Sequence, residues 1–577
     1  MLMTAVPSAR TAASLRSEVE VQGGATRVIV SVESSLNPEI PIGFEACSDS
    51  LPERTSQVDT GASVAWQSHM ALEDPPPLVA AEGFPELNDM HAVSIQCLRT
   101  GWAGFEWSQV ENCNAPQRRI ARLSPPRYAC GMMHQAIRSV LLTGADPVFP
   151  TPYRIGAAGA VAIAASAQAA ADFWELRTGE RQSVAVNCRH AAAAMRSATY
   201  LRIDGIEPSS SWDPFSGLYP TGDGRHVFLH CNFPHHREGM LALLGTRANK
   251  EEFAAAVAAR GGQEFEDAIA AAGLCGALTR TPEEWVAHPH GRALAALPPV
   301  SIERIGDGPK SVPRGGGRPL AGIRVLDLTR VLAGPTCGRT LAEHGADVMR
   351  IAAPHLPFAP TLVMDTGHGK LSAFVDLREQ RGRAQLRALA SEADVFVQGY
   401  RPGTLAARGF GPRDIGPGKI YVSLSAYGHE GPFAPRRGFD SILQNASGMS
   451  TVQGSPEAPC NLPVQPLDYC AGYLAAWGVV TALLRRAEEG GSWHVQLSLA
   501  GMAEWIKAKG PVEGWRDAPT DLSPEELAAI SMESDTPHGR LTHLAPVAMM
   551  SRTPPHWTRP SAPLGSHDPV WPETLAA

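Results

Sequence analysis

A chain of 577 residues with 44% hydrophobic content is long enough for several domains with substantial cores. Its formal charge of −8 and pI near 6.2 argue against nucleic acid as the main partner. Ten cysteines without a CxxC pair fit reduced thiols better than a disulfide framework or a zinc site. Residues 1–127 mix Pro-, Ser- and Gly-containing stretches with short apolar runs such as Thr26–Val32, and no period persists, so no defined fold is expected there. The first residues carry no sustained apolar core, which speaks against a secretory signal and for a cytoplasmic protein. Near Met132 the composition turns helix-like, so the functional protein is expected to begin near Met132–Met133.

From there an internal echo runs along the chain. Residues 156–191 resemble residues 468–501: each reads as an Ala-rich helix, a charged corner with glycine, then an alternating strand. Pairing Val184 with Val495 gives an offset of 495 − 184 = 311, which superposes Gly179 on Gly490 and sets Ala157 opposite Asp468. The first copy, from Pro150 to Ala171, contains no carboxylate. The segments Ala157–Ala171 and Ala471–Leu484 are too short and too rich in alanine and glycine to span a bilayer, so both read as buried helices and no membrane partner is expected. After the first copy, Asp223-Gly224 marks a turn and Arg225–Cys231 alternates as a strand. The organisation is therefore read as a first half-unit at 128–305, a Gly- and Pro-containing linker at 306–318, a second half-unit at 319–505 and a Pro-rich strap at 506–577. Within the strap, Leu522–Ile530 reads as a short helix capped by Ser523.

The second half-unit is the most legible. Arg324–Leu328 reads as a buried strand, Thr329–Pro335 as a turn, Thr336–His344 as a helix and Asp347–Ile351 as a second strand. Such a βαβ unit puts backbone N–H groups of its first turn where anionic ligands dock. Farther on, Asp468 immediately precedes a long apolar helix. A carboxylate there accepts backbone hydrogen bonds and lies at the positive end of the dipole, so Asp468 is expected to stay ionised, as a cap, a nucleophile or both.

Six blocks in order carry a resemblance: VLDLTRVLAGP with LAEHGADV, GKLSAFVDL at 369–377, ADVFVQGYRPG at 393–403, IYVSLSAYGHEGPF at 420–433, RRGFDSILQNASG at 436–448 and LDYCAG at 467–472. The segment resembles the class III CoA-transferase (CaiB/BaiF) family. The resemblance implies an α/β protein with an open Rossmann-like sheet and a smaller second domain, its two related half-units in permuted or duplicated order. It also implies that Asp468 carries an acyl group and then CoA, and that Arg330, Arg401, Arg437 and the Val331–Ala333 backbone contact CoA. CoA is then a substrate, its partner a carboxylic acid acceptor, with no resident cofactor and no metal. The chain is expected to form either a homodimer or an internal pseudo-dimer. Alternatives are an intramolecular acyl-CoA isomerase or racemase, and a non-catalytic CoA-binding protein. Racemases of the superfamily carry a histidine where this chain has Phe439, which disfavours that reading, while His429 lies ten residues from that place.

Several nearby residues have plain roles in this reading. Asp440 is expected to pair with an arginine or to cap Ser441–Gln444. Gly448 and Gln453–Cys460 form either an oxyanion-binding loop or an ordinary surface loop. His235-His236 and His288–His290 read as surface or packing residues, not metal ligands. Ala352-Ala353 stands where family members commonly carry an acidic residue.

Overall fold

The computed structural model describes residues 13–22, 25–34, 140–210, 212–313 and 316–572. The chain divides into two units, Met1–Thr100 and Gly101–Ala577. In the first, Ala13–Gln22 and Ala25–Ser34 pair as an antiparallel hairpin. The rest of 1–127, and the start expected near Met132, lie outside the described residues.

The second unit is organised by seven strands. These are β1 (Val300–Gly306), β2 (Arg324–Leu328), β3 (Asp347–Ala352), β4 (Lys370–Phe374), β5 (Val395–Gln398), β6 (Ile420–Ser425) and β7 (Ser492–Ser498), in the order β4-β3-β2-β5-β6-β7-β1. The strands from β4 to β7 run parallel, and β1 closes the edge antiparallel to β7. This is an open Rossmann-like sheet. Both faces are covered, so apolar side chains of its strands are buried on either side. Val325, Val395, Val397 and Val422 point into one core, while Leu326, Leu328, Phe396 and Tyr421 point into the other. A smaller domain lies within the first half-unit. Strands Gly217–Pro220, His226–Leu229 and Gly276–Leu278 form an antiparallel sheet, and Phe215, Met240, Phe253 and Phe265 fill its core.

Three helices place the site: α1 (Ile155–Thr178), α2 (Ala333–Glu343) and α3 (Pro466–Glu489), with α3 packed against both of the others. The offset of 311 recurs throughout. Helices α1 and α3 start 466 − 155 = 311 apart and end 489 − 178 = 311 apart. Their C-caps, Gly179 and Gly490, both sit at positive φ, where a side chain would be strained. Asn187 and Ser498, also 311 apart, each cap the helix that follows their strand. The two half-units are thus related by structure as well as sequence. One expectation needs correcting: α1 and α3, at 24 residues each, are long and apolar enough to cross a bilayer, but 89% of each apolar window is buried inside the protein. The short-run reading missed the polar residues that extend both helices.

The chain after residue 505 includes helix Pro524–Ile530, whose Ser523 forms a capping box with Glu526. It then passes over the edge of the large sheet, where Trp571 donates its indole N–H to Leu389 O at 3.0 Å.

Candidate functional site

The order of the large sheet reverses between β2 and β5, and a cleft of about 770 Å³ opens where the chain leaves these strands. That is the switch point at which open α/β sheets bind ligands. The turn after β2 contributes Thr329–Gly334, the segment after β5 contributes Gly399–Pro402, and α3 contributes Asp468. The smaller domain contributes Phe233–His236, so both half-units line one cleft.

The turn after β2 is tightly built. Asp327 accepts the N–H of Thr329 at 3.0 Å and its hydroxyl. Beneath it, Lys370 Nζ donates to Asp327 Oδ2 at 2.9 Å and to Pro335 O at 2.7 Å, fully buried. Gly338 makes room for this pair, since a Cβ there would lie 2.6 Å from Asp327 Oδ2. The turn holds Val331 at φ 70°, a conformation that costs a β-branched residue on the order of 1–3 kcal/mol. At Gly472 the absence of a side chain lets α3 approach α2, because a Cβ would lie 2.6 Å from Ala333 O. The backbone N–H of Ala333 consequently reaches the Asp468 carboxylate.

Asp468 lies in the first turn of α3 but does not cap it. The cap is Asp440, whose Oδ2 accepts the N–H of Leu467 at 2.7 Å and of Asp468 at 3.0 Å. Asp440 Oδ1 accepts from Gln444 Nε2 at 2.5 Å. Asp440 thus neither pairs with an arginine nor caps the backbone of its own helix. The helix dipole that favours an ionised Asp468 is opposed by its surroundings. Asp468 is 8% exposed. Burial first, and then the adjacent Asp440 charge, push its pKa well up, against the single opposing Ala333 N–H. Burial also pushes Asp440 up to about 7.

Arg330, Val331, Ala333, Arg401 and Arg437 all line the cleft. Among the described residues, no carboxylate forms an ion pair with any of these three arginines. Arg330 donates to Pro357 O and lies 5.8 Å over the Phe233 ring. Arg437 Nη1 lies 3.0 Å from His236 Nε2 and 3.3 Å from His235 Nε2. Burial and then repulsion from Arg401 lower the Arg437 pKa. Burial, the His235 ring and the Arg437 charge push His236 down to about 3, so His236 is neutral and accepts from Arg437. His235, exposed, and His236, buried against Phe233 and Phe439, are surface and packing residues that also line the cleft. Their place in the cleft has no local signal, because it depends on a contact with Arg437 some two hundred residues away.

Phe439, which stands where the resemblance places a histidine in racemases, also lines the cleft. Its ring stacks on His230 at 3.9 Å and 14°, with Phe233 5.9 Å away. His230 is buried, and burial holds its pKa down to about 4. Gly448, Gln453–Cys460 and His429 do not line the cleft. His288 and His290 pack against Trp285 and Phe433, and His290 Nε2 meets Tyr427 O at 2.8 Å. Among the described residues, no group of His, Cys, Asp or Glu is arranged to hold a metal ion.

The candidate site of this α/β protein is thus a switch-point cleft lined by a buried carboxylate and by three guanidinium groups that, among the described residues, pair with no carboxylate. The family description CoA-transferase family III matches residues 127–309 and 320–525, and the chain belongs to that family. An acetyl-coenzyme A transferase of Hypoxylon pulicicidum is 40% identical over 33% of this chain and 34% of its own length. A probable fatty acyl-CoA transferase of Mycobacterium tuberculosis is 36% identical over 33% of this chain and 53% of its own. The succinyl-CoA:glutarate CoA-transferase of Mus musculus is 33% identical over 32% and 45%. The chain thus spans about a third to a half of the length of these curated relatives. A solved CaiB/BaiF family protein from Brucella suis is 26% identical and covers 39% of this chain and 65% of its own, with a TM-score of 0.31.

Proposed function

We propose that the protein moves CoA between an acyl-CoA thioester and a free carboxylic acid, with Asp468 as nucleophile. The observation that carries this reading is the placement of Asp468: a buried carboxylate on the wall of the cleft that also holds the unpaired Arg330, Arg401 and Arg437. The arginines bind the phosphates of CoA, and the Val331–Ala333 turn receives the nucleotide. CoA is a substrate here, and no resident cofactor takes part. Family membership and the names of the relatives support the same class of reaction.

The reaction runs through carbonyl chemistry at one carboxylate. Ionised Asp468 attacks the thioester carbonyl, the C–S bond breaks, and CoA leaves as thiolate from an aspartyl–acyl anhydride. The thiolate attacks the aspartyl carbonyl, releases the acyl group as its carboxylate and leaves an aspartyl–CoA thioester. An acceptor carboxylate then attacks that thioester, and the same two steps run in reverse. Burial of Asp468 keeps water from the anhydride, and poor solvation of its ionised form makes it reactive. Racemisation by two bases is disfavoured, because Phe439 stands where the resemblance places a histidine. One chain supplies both walls of the cleft, which supports an internal pseudo-dimer over a site shared between chains.

The experiment is intact-protein mass after incubation with a panel of acyl-CoA thioesters, for wild type and Asp468→Ala. A hydroxylamine-sensitive CoA adduct that maps to Asp468 is expected. Bound CoA with no adduct from any donor would leave a non-catalytic CoA-binding protein or a noncovalent isomerase.

A further inference from the structure

Asp468 sits against an apolar wall. Its partner Ala333 follows Leu332, which is 3% exposed, and Asp440 follows Phe439 directly. Gly438 packs on Ala426, since a Cβ at 438 would lie 2.8 Å from the Ala426 Cβ. Ala426 O in turn accepts the N–H of Ala500, beside Leu499. Leu332, Leu424, Ala426, Phe439 and Leu499 thus line the same cleft as the nucleophile. Arg437, two residues before Phe439, is turned toward His235 and His236. The forces acting on the Asp468 carboxyl are burial, the Asp440 charge and the Ala333 N–H, with no arginine, lysine or histidine among them.

We propose that the acyl group handled here is that of a monocarboxylic acid with an apolar aryl or alkyl tail, and that Phe439 selects it. This rests on the transferase reading above. A short dicarboxylic acid reacting at Asp468 would carry its second carboxylate into the wall of Leu332, Leu424, Phe439 and Leu499, while Arg330, Arg401 and Arg437 hold the CoA phosphates and Arg436 is already paired with Glu266 and Asp267. Burying an unpaired carboxylate is strongly unfavourable, whereas an apolar tail gains by leaving water. The Phe439 ring is held flat by its stack on neutral His230, so it offers a fixed aromatic surface to an aryl or alkyl tail. The relatives named above include both a probable fatty acyl and a succinyl–glutarate enzyme, so the choice is made by this wall and not by likeness.

The test is exchange of label from a free acid into its own CoA thioester by the full-length chain. The pairs are benzoyl-CoA with benzoate, hexanoyl-CoA with hexanoate, succinyl-CoA with succinate and glutaryl-CoA with glutarate. We expect kcat/KM for the two apolar pairs to exceed that for the two diacids by on the order of 100-fold. Phe439→Arg, which supplies a cation, should narrow that gap, and Phe439→Leu, which keeps an apolar wall, should preserve it. Exchange of succinate or glutarate as fast as the apolar acids overturns the substrate class and leaves Asp468 chemistry standing. No exchange with any pair, together with no adduct on Asp468, removes the transferase reading and this proposal with it.

Discussion

The Asp440 carboxylate accepts the backbone N–H of Asp468 at 3.0 Å, so one buried acid caps the helix that presents the other. The arrangement fixes the position of Asp468 and at the same time raises its pKa, because the second negative charge lies beside it. Asp440→Asn keeps an acceptor for the Leu467 and Asp468 N–H groups and removes the charge. The pKa of Asp468 then falls, its ionised form persists into more acidic solution, and the acid limb of kcat/KM moves to lower pH. Asp440→Ala instead leaves two buried N–H donors without partners and should destabilise the fold by about 1–3 kcal/mol. A pH–rate profile of the first variant and urea unfolding of the second check the two expectations. An unmoved acid limb in Asp440→Asn would show that Asp440 acts by position alone.

The arginine cluster predicts a split between whole and truncated substrates. Arg330→Ala, Arg401→Ala and Arg437→Ala should each raise KM for an acyl-CoA about 10- to 100-fold, the worth of one charge-assisted contact to phosphate. Thioesters of N-acetylcysteamine, which lack the nucleotide and its phosphates, should respond little to the same substitutions. Equal losses on both kinds of thioester would mean that these arginines act on the acyl end.

What could be read in the sequence is what depends on neighbours along the chain. Strand Arg324–Leu328 carries the apolar Val325, Leu326 and Leu328, and the ends of α1 and α3 are marked by Gly179 and Gly490, so the 311-residue repeat is visible before any fold is known. Asp468 at the start of α3 is equally local. Its protonation is not, because it depends on Asp440, 28 residues upstream, and on the amount of water excluded by packed helices. His235 and His236 reach the cleft because the first half-unit folds over the second, a contact across about two hundred positions of sequence. The stack of Phe439 on His230 arises in the same way. The first half-unit also keeps its own helix-capping acid. Asp146 accepts the N–H groups of Gly156 and Ala157 at 2.8 and 2.9 Å, although Ala157 has replaced the acid that Asp468 retains.

Buried histidines set the acid limit of stability. Burial holds His230, His290 and His494 down to about 4, and His236 and His344 to about 3. An unfolded chain protonates these rings at about pH 6.5. Between about pH 6.5 and 4 the unfolded state binds more protons than the native state at these sites, so stability falls as pH is lowered through that range. Glu343 and Asp440, raised by burial to about 8 and 7, act in the opposite sense: their contribution is full below the unfolded value of about 4.3 and is lost as pH rises through the folded one. The histidines lowered by burial, His368 among them, outnumber the acids raised by it, Asp468, Asp146 and Asp172 included. Urea midpoints measured from pH 7 to pH 4.5 should therefore decline steadily, and a flat or rising series would contradict the neutral buried rings.

Behind Asp468, the next residue joins the half-units. Tyr469 OH lies 3.0 Å from Ser197 Oγ, which donates to Asp365 Oδ2 at 2.7 Å, and Asp365 pairs with Arg339 at 3.1 Å. Both charged side chains are almost fully buried, with relative exposures of 7% and 1% for Arg339 and Asp365. Removing the acid alone strands a guanidinium in a low-dielectric interior, so Asp365→Ala should cost about 3–5 kcal/mol in denaturant unfolding. Ser197→Ala removes a neutral hydroxyl and should cost about 1 kcal/mol. If Ser197 also steadies the start of α3 through Tyr469, Ser197→Ala lowers kcat of CoA exchange while KM for acyl-CoA stays near the wild-type value. A change in KM alone would place the effect of this network on the CoA cleft and not on the nucleophile.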